Sequence, residues 1–287
     1  MQTLVDVPAP AKLNLFLHVC GRRRDGYHLL QSAFMLIDWC DILHFELRRD
    51  GRIDREDLGA TLPPDDLVVR AAKALQQAAR CPLGVHIGIE KRIPSQAGMG
   101  GGSSDAASTL LALNRLWDLR LDAVQLQRIG LSLGADVPFF LFGRNAWAEG
   151  VGEQLTPLAV APARFLVLKP PQGLDTAAIF QHPDLHRATK PATISGFAAN
   201  PWRFGQNDLQ PVARSLCPAI AQALEGLQAL GLEGRMTGSG SAVFAHLPDD
   251  RPFAGIAWPE APGWQWRVCG NLEAHPLSGW AAGTIQG

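Results

Sequence analysis

The chain has 287 residues, 47% hydrophobic and 18% charged, with a formal net charge of −1. That length points to two domains rather than one core. The near-neutral balance argues against a nucleic-acid surface, because Arg22-Arg23-Arg24 is a local cluster and not a stripe. The five cysteines (Cys20, Cys40, Cys81, Cys217 and Cys269) are odd in number and widely spaced, without a Cys-x-x-Cys pair. They read as reduced thiols, forming neither a disulfide framework nor a zinc site. No basic region leads into an apolar core at the N-terminus, and no apolar run is long enough to span a bilayer. A cytoplasmic globular protein without nucleic-acid or membrane partners is expected.

Residues 4–47 read as strands. Leu13, Leu15 and Leu17 alternate with Asn14, Phe16 and His18, so that one strand face is apolar and the other mixed. Lys12 and Asn14 share the second face, because strand side chains repeat every two residues. Asp25-Gly26 marks a turn before Tyr27 and His28, and Tyr27 is the only tyrosine in the chain. Residues 65–79 predict a helix with Leu67, Val68, Ala71, Ala72, Leu75 and Ala78 on one side, capped by Asp65 or Asp66 and stopped at Cys81-Pro82-Leu83-Gly84. Val85, Ile87 and Ile89 then alternate with polar neighbours as a strand.

That strand feeds the most informative stretch, Pro94-Ser-Gln-Ala-Gly98-Met-Gly100-Gly101-Gly102-Ser103-Ser104-Asp105-Ala-Ala. Clustered glycines cost backbone entropy and need a reason, either positive φ or close approach of another group. Here they lead directly into a helix whose free N–H groups and positive dipole end suit an anion, most often a phosphate. Ser103 and Ser104 add hydroxyls for phosphate oxygens or a magnesium ion. The plainer alternative is a flexible turn with Ser103 as N-cap and Asp105 favouring the positive helix end. The loop lacks the Gly-x-x-x-x-Gly-Lys-Ser/Thr of a Walker loop and the third glycine of a dinucleotide loop. No His-Arg-Asp or Asp-Phe-Gly marks a protein kinase.

The helix after the loop carries Ala106, Leu110, Leu113 and Trp117 on one face, with Asn114 on another. Residues 122–134 predict a second helix, with Asp122 and Gln125 in capping-box positions and Gly134 as terminator. Asp136 precedes Pro138 at a further helix start, where an N-cap and a functional carboxylate are both open readings. Prolines and alanines over 156–162 mark a boundary between a domain at 1–156 and one at 157–287. Residues 164–168 form a strand, Asn207-Asp208 opens a long helix through Leu230, and two further strands cover 243–247 and 265–269. Between them Gly234-Arg-Met-Thr237-Gly238-Ser239-Gly-Ser241 makes a second glycine turn, which also suits a plain hairpin.

Three of these stretches, in order, resemble the three signatures of the GHMP kinases, which phosphorylate small molecules. They are Pro8-Ala-Pro-Ala-Lys12-Leu-Asn14, the loop from Pro94 to Ala107, and the turn from Gly234. The resemblance covers nearly the whole chain. It implies an α+β fold of two domains with the active site in the cleft between them, using ATP and Mg2+. Lys12 and Asp136 become the catalytic residues, Lys12 stabilising the reacting hydroxyl and Asp136 accepting its proton or orienting it. Pro94, Gly98, Gly100, Gly101, Gly102, Ser103 and Ser104 become the phosphate site, with Ser104 as the magnesium ligand. Asn114 and Asp66 fall where the family contacts the nucleotide, although the family often has Asn at the latter position.

The segment from Arg24 through Tyr27-His28 to Ser32 further resembles the branch of the family acting on a cytidine diphosphate derivative of a polyol. The resemblance implies that Tyr27 stacks on cytosine, His28 bonds its edge and Phe180 supplies a second aromatic. Such stacking contributes ~1–3 kcal/mol per base. Asn14 and the third-signature residues Thr237, Gly238 and Ser239 are then expected at the substrate. A homoserine- or mevalonate-type kinase would share the signatures without the base site, and a non-catalytic sensor would not need both Lys12 and Asp136.

Overall fold

The computed structural model describes residues 2–248 and 262–281. The chain opens on two long antiparallel strands, β1 (Thr3–Arg22) and β2 (His28–Arg48), with Lys12 opposite Leu36 and Asn14 opposite Phe34. β2 is the spine of a six-stranded sheet. It also pairs with β4 (Gly84–Glu90) along its second half and with β5 (Ala146–Glu149) along its first. β3 (Ile53–Asp57) lies parallel to β4, and β6 (Gln154–Pro157) closes the other edge against β5. A second, antiparallel sheet has the order β10-β7-β9-β8, built from β7 (Arg164–Lys169), β8 (Gly234–Met236), β9 (Val243–Leu247) and β10 (Gln265–Gly270).

Four helices cover the first sheet: α1 (Leu67–Ala79), α2 (Gly101–Leu116), α3 (Ala123–Leu133) and α4 (Val137–Phe142). Local chemistry sets their ends. Asp66 caps α1 by accepting from the Val69 N–H at 3.2 Å. Asp122 and Gln125 make both reciprocal bonds of a capping box on α3. Phe139, Leu110, Leu113 and Ile87 pack into one core between these helices and the sheet.

The expected alternation in β1 gives way to burial on both faces, since Asn14, Leu15 and Phe16 are each at most 2% exposed. Leu13, Leu15 and Met35 pack on Phe165, Val167 and Phe244 of the second sheet, so β1 and β2 are covered by helices on one side and by the second lobe on the other. A third core, with Leu166, Val243, Ile220 and Leu227, lies on the remaining side of the second sheet.

Helices α5 (Thr176–Gln181) and α6 (Ile194–Ala199) follow β7. The single long helix expected up to Leu230 is two helices, α7 (Gln210–Leu216) and α8 (Pro218–Ala229). Pro218 disfavours helical geometry at Cys217, which is extended at φ −136°, and it lacks an N–H to continue the ladder. The chain passes from the first sheet to the second between Pro157 and Arg164. After β10 it returns, with Leu272 N–H donating to the Leu36 carbonyl and His275 N–H to Gly143. Residues 249–261 and 282–287 of the expected second domain lie outside the described residues. Among the described residues, no helix is long and apolar enough to cross a membrane.

Candidate active site

Where the two lobes meet there is a cleft of about 800 Å³. One wall is the glycine loop between β4 and α2. Gly100 takes the N-cap position at φ +71°, and no side chain caps the helix start, so the first N–H groups of α2 are left for the cleft. Gly98 (φ +70°) backs onto the turn between β8 and β9. A Cβ there would come within 2.2 Å of the Thr237 carbonyl oxygen, and one on Gly238 (φ +53°) within 2.7 Å of the Gly98 oxygen. Both glycines are required because two main chains touch. Gly102 differs: a Cβ would meet only Leu67 Cδ1 at 3.5 Å, and the residue is exposed to the cleft.

Lys12 stands against this wall. Its N–H donates to the Met99 carbonyl at 3.0 Å, fastening β1 to the loop. The ammonium group is buried, lies 4.8 Å from the Phe34 ring centroid and donates to Asn14 Oδ1 at 2.5 Å. Asp136 Oδ2 approaches it to 3.6 Å. Asp136 occupies the N-cap position of α4, but at φ −85° and ψ −15° its carboxylate accepts no cap hydrogen bond. The carboxylate, 36% exposed, therefore faces Lys12 and the cleft rather than the helix. Asn14 Nδ2 donates to Ser32 Oγ at 2.9 Å, which keeps its carbonyl end toward Lys12.

Pro94, Gly98, Gly100, Gly101, Gly102, Ser103, Asp66, Asn14, Phe180, Gly238 and Ser239 all line this cleft with Lys12 and Asp136. Asp66 does so while holding Arg55 Nη1 at 2.6 Å. Five expected residues do not line it. Ser104 is fully buried, donates to the Pro10 carbonyl at 2.6 Å and is not part of the cleft lining. Asn114, thirteen residues along α2 from Gly101, lies roughly 20 Å down the helix axis. Its amide brackets Leu121, accepting from the N–H at 2.9 Å and donating to the carbonyl at 3.1 Å, so it braces the turn after α2.

Thr237 is fully buried: its Oγ1 accepts the Asn14 N–H at 2.9 Å and lies 3.4 Å from the Gly98 carbonyl, knitting the glycine turns to β1. Tyr27 is 64% exposed on the β1–β2 turn, outside the cleft lining. His28 is half-buried, stacked on Phe180 with centroids 5.1 Å apart and 29° between the planes. Burial holds its imidazole below the ordinary value, and the nearby Arg187 and Arg22 charges push the same way.

Sequence reasoning missed one cluster. Lys91 bridges two buried carboxyls, Asp41 from β2 and Asp105 from the first turns of α2. Asp41 also accepts the N–H groups of Arg92 and Ile93, whereas Asp105 Oδ1 is buried with no partner. Burial pushes the Asp105 carboxyl well above the usual range, outweighing Lys91. Burial works against the Lys91 ammonium, but Asp105 and Asp41 together raise it. The residues are far apart in sequence, and Asp105 reads there only as a contact favouring the positive helix end.

A glycine loop leading into an uncapped helix start, with a lysine–aspartate pair beside it in the same cleft, is the arrangement of a small-molecule phosphotransferase. Residues 66–144 match the family model described as the GHMP kinases N terminal domain, and residues 191–256 match the GHMP kinases C terminal domain. The 4-diphosphocytidyl-2-C-methyl-D-erythritol kinases of a Polaromonas species and of Albidiferax ferrireducens are 63% and 64% identical to the chain. Each alignment covers 98% of it, and 95% and 96% of those proteins. A crystal structure of 4-(cytidine 5'-diphospho)-2C-methyl-D-erythritol kinase superposes with a TM-score of 0.72 at 37% identity, covering 83% of this chain and 88% of that one. The homoserine kinase of Cytophaga hutchinsonii (TM-score 0.68, 14% identity, 96% of each chain) shares the fold. The chain belongs to the 4-diphosphocytidyl-2-C-methyl-D-erythritol kinase family of the GHMP kinases. It is an ATP-dependent small-molecule kinase with an α+β fold.

Proposed function

We propose that the chain transfers the γ-phosphate of ATP to the 2-hydroxyl of 4-diphosphocytidyl-2-C-methyl-D-erythritol, a step of the non-mevalonate route to isoprenoid precursors, in the cytoplasm. The observation that carries this reading is the Lys12–Asp136 pair, 3.6 Å apart, beside the uncapped start of α2 in one cleft. Two lobes, divided near residue 156, supply the two sides of the reaction.

In phosphoryl transfer the protein contributes position and charge more than covalent chemistry. The free N–H groups at the start of α2 receive the β- and γ-phosphates, and Gly102 leaves room for their approach. The Asp136 carboxylate, which no backbone N–H occupies, takes the proton of the substrate hydroxyl as its oxygen attacks phosphorus. The Lys12 ammonium stabilises the developing negative charge on that oxygen, held on line by Asn14 and the Phe34 ring.

A magnesium ion fits this end of the cleft. Ser103 and Asp136 line it together, and magnesium is usually held by few protein oxygens together with phosphates and water. Ser103, rather than Ser104, would hold it, and bound magnesium neutralises phosphate charge. At the far end Phe180 lines the cleft with His28 stacked on it and marks the cytosine end, while the exposed Tyr27 ring stands on the β1–β2 turn outside the lining.

Incubating the protein with ATP, magnesium and a panel of alcohols, followed by phosphorus NMR, tests the activity: a new phosphomonoester should appear only with the cytidine diphosphate polyol. CDP and CMP should compete with that substrate more strongly than UDP and UMP. Equal inhibition by the two series, with phosphorylation of homoserine or mevalonate instead, would move the chain to another branch.

A further inference from the structure

Arg187, between α5 and α6, spends its guanidinium on one small region. Nη1 donates to the Leu185 carbonyl at 2.9 Å. Nη2 donates to the carbonyls of Phe180 at 3.1 Å and His182 at 2.7 Å, at the C-terminal end of α5. Nε donates to His28 Nε2 at 3.1 Å, reaching the start of β2. A guanidinium has no acceptor and does not lose its proton, so the ring nitrogen it meets must be an acceptor. His28 Nε2 therefore carries no hydrogen, and the neutral ring keeps its hydrogen on Nδ1, which has no partner among the described residues. The same arginine ties down the main chain of Phe180, whose ring stacks on that imidazole.

We propose that Arg187 is a positioning residue for base recognition, fixing His28 in the Nδ1–H form so that it presents a donor to an acceptor edge of the base. Cytosine offers such an acceptor in its ring nitrogen N3, whereas the corresponding ring nitrogen of uracil carries a hydrogen. Donor against donor leaves a polar group unpaired, which is the source of the discrimination. The inference rests on the cytosine reading of the previous section and adds the residue that sets its sign.

Nitrogen NMR of the full wild-type chain near neutral pH reads the tautomer directly, with His28 assigned by the signals lost in His28→Gln. The expected result is a protonated Nδ1 and a bare Nε2. Arg187→Gln should release the ring into a tautomer mixture and raise KM for the cytidine substrate more than it lowers kcat. The preference for CDP over UDP, at least about fivefold in the wild type, should shrink toward unity. A wild-type His28 with hydrogen on Nε2 overturns the inference even if cytosine is preferred, and so does an Arg187→Gln protein that keeps both tautomer and preference. Equal inhibition by CDP and UDP in a wild type with the Nδ1–H ring overturns the cytosine reading instead, and with it the recognition role of Arg187. The wild-type measurement decides even if the variant fails to fold.

Discussion

Asp136→Asn separates chemistry from folding at the position where an aspartate before Pro138 is open to both readings. Its carboxylate accepts no cap hydrogen bond, so the stability at stake is mainly the 3.6 Å contact with Lys12. With the carboxylate 36% exposed, that pair contributes about 0–1 kcal/mol. Asn14 Oδ1 and the Phe34 ring remain to hold the buried ammonium. One kcal/mol corresponds to about 2–4 °C in a chain of this size, so the melting temperature should fall by no more than that. Turnover should fall by roughly 10²–10⁴, about 3–5 kcal/mol of transition-state stabilisation. Lys12→Met should cost at least on the order of 10², and the double variant should be little worse than the poorer single one, because the two act on one oxygen. ADP release gives turnover, calorimetry gives both affinities, and scanning calorimetry gives the melting point. An Asp136→Asn protein with near-normal turnover that melts several degrees lower would refute the reasoning and restore the capping role.

The glycine loop offers a contrast between two of its members. Gly102→Ala should fold normally and lose nucleotide affinity by about tenfold, because the added carbon meets only Leu67 inside the protein; unchanged affinity by calorimetry would remove the loop from the phosphate site. Gly98→Ala should instead be destabilised by about 2–4 kcal/mol, since φ +70° and a carbonyl 2.2 Å from the new carbon both oppose it. The two serines divide in the same way. Ser104→Ala should lower the melting point by removing its buried bond to the Pro10 carbonyl, a cost of about 0.5–1.5 kcal/mol. Ser103→Ala should melt like the wild type and lose turnover, and the reverse pattern would return Ser104 to the cleft.

These contrasts mark where sequence reading reached and where it stopped. The strand before the loop, the helix after it and the capping box at Asp122 are written in residues no more than four apart, and all were legible. The glycines were legible as a group, but their separate duties were not. Gly98 is required by a turn nearly 140 residues away in the chain, and Gly102 by space left open. Choosing between Ser103 and Ser104 needs the phase of α2, because one residue turns a helix by about 100°. Asn114 had the right residue type but lies several turns down the axis. Cys217-Pro218 could have been read as a break, because proline restricts the residue before it. The bonds from Asn14 to Thr237 and from Arg187 to His28 join residues 223 and 159 positions apart, and no local pattern announces them.

The cluster beneath the loop carries a pH dependence whose sign can be fixed in advance. Lys91 serves two buried carboxyls, but they are not equivalent: Asp41 also takes two backbone N–H groups, whereas Asp105 Oδ1 takes none. Burial therefore holds the Asp105 carboxyl well above its ordinary value. In the unfolded chain it releases its proton near pH ~4, while the folded chain keeps it to higher pH. Stability from this group is fully present below the unfolded value and is lost as pH rises through the raised folded value, by at most about 1.4 kcal/mol per pH unit. Asp105→Asn has no proton to lose. Its melting temperature relative to the wild type should therefore climb as pH is raised from about 4 toward neutrality. Scanning calorimetry of both proteins across that range checks it. A constant offset between the two curves, or a wild type that gains on the variant as pH rises, would mean that Asp105 stands ionised beside Lys91 and that the cluster holds no extra proton.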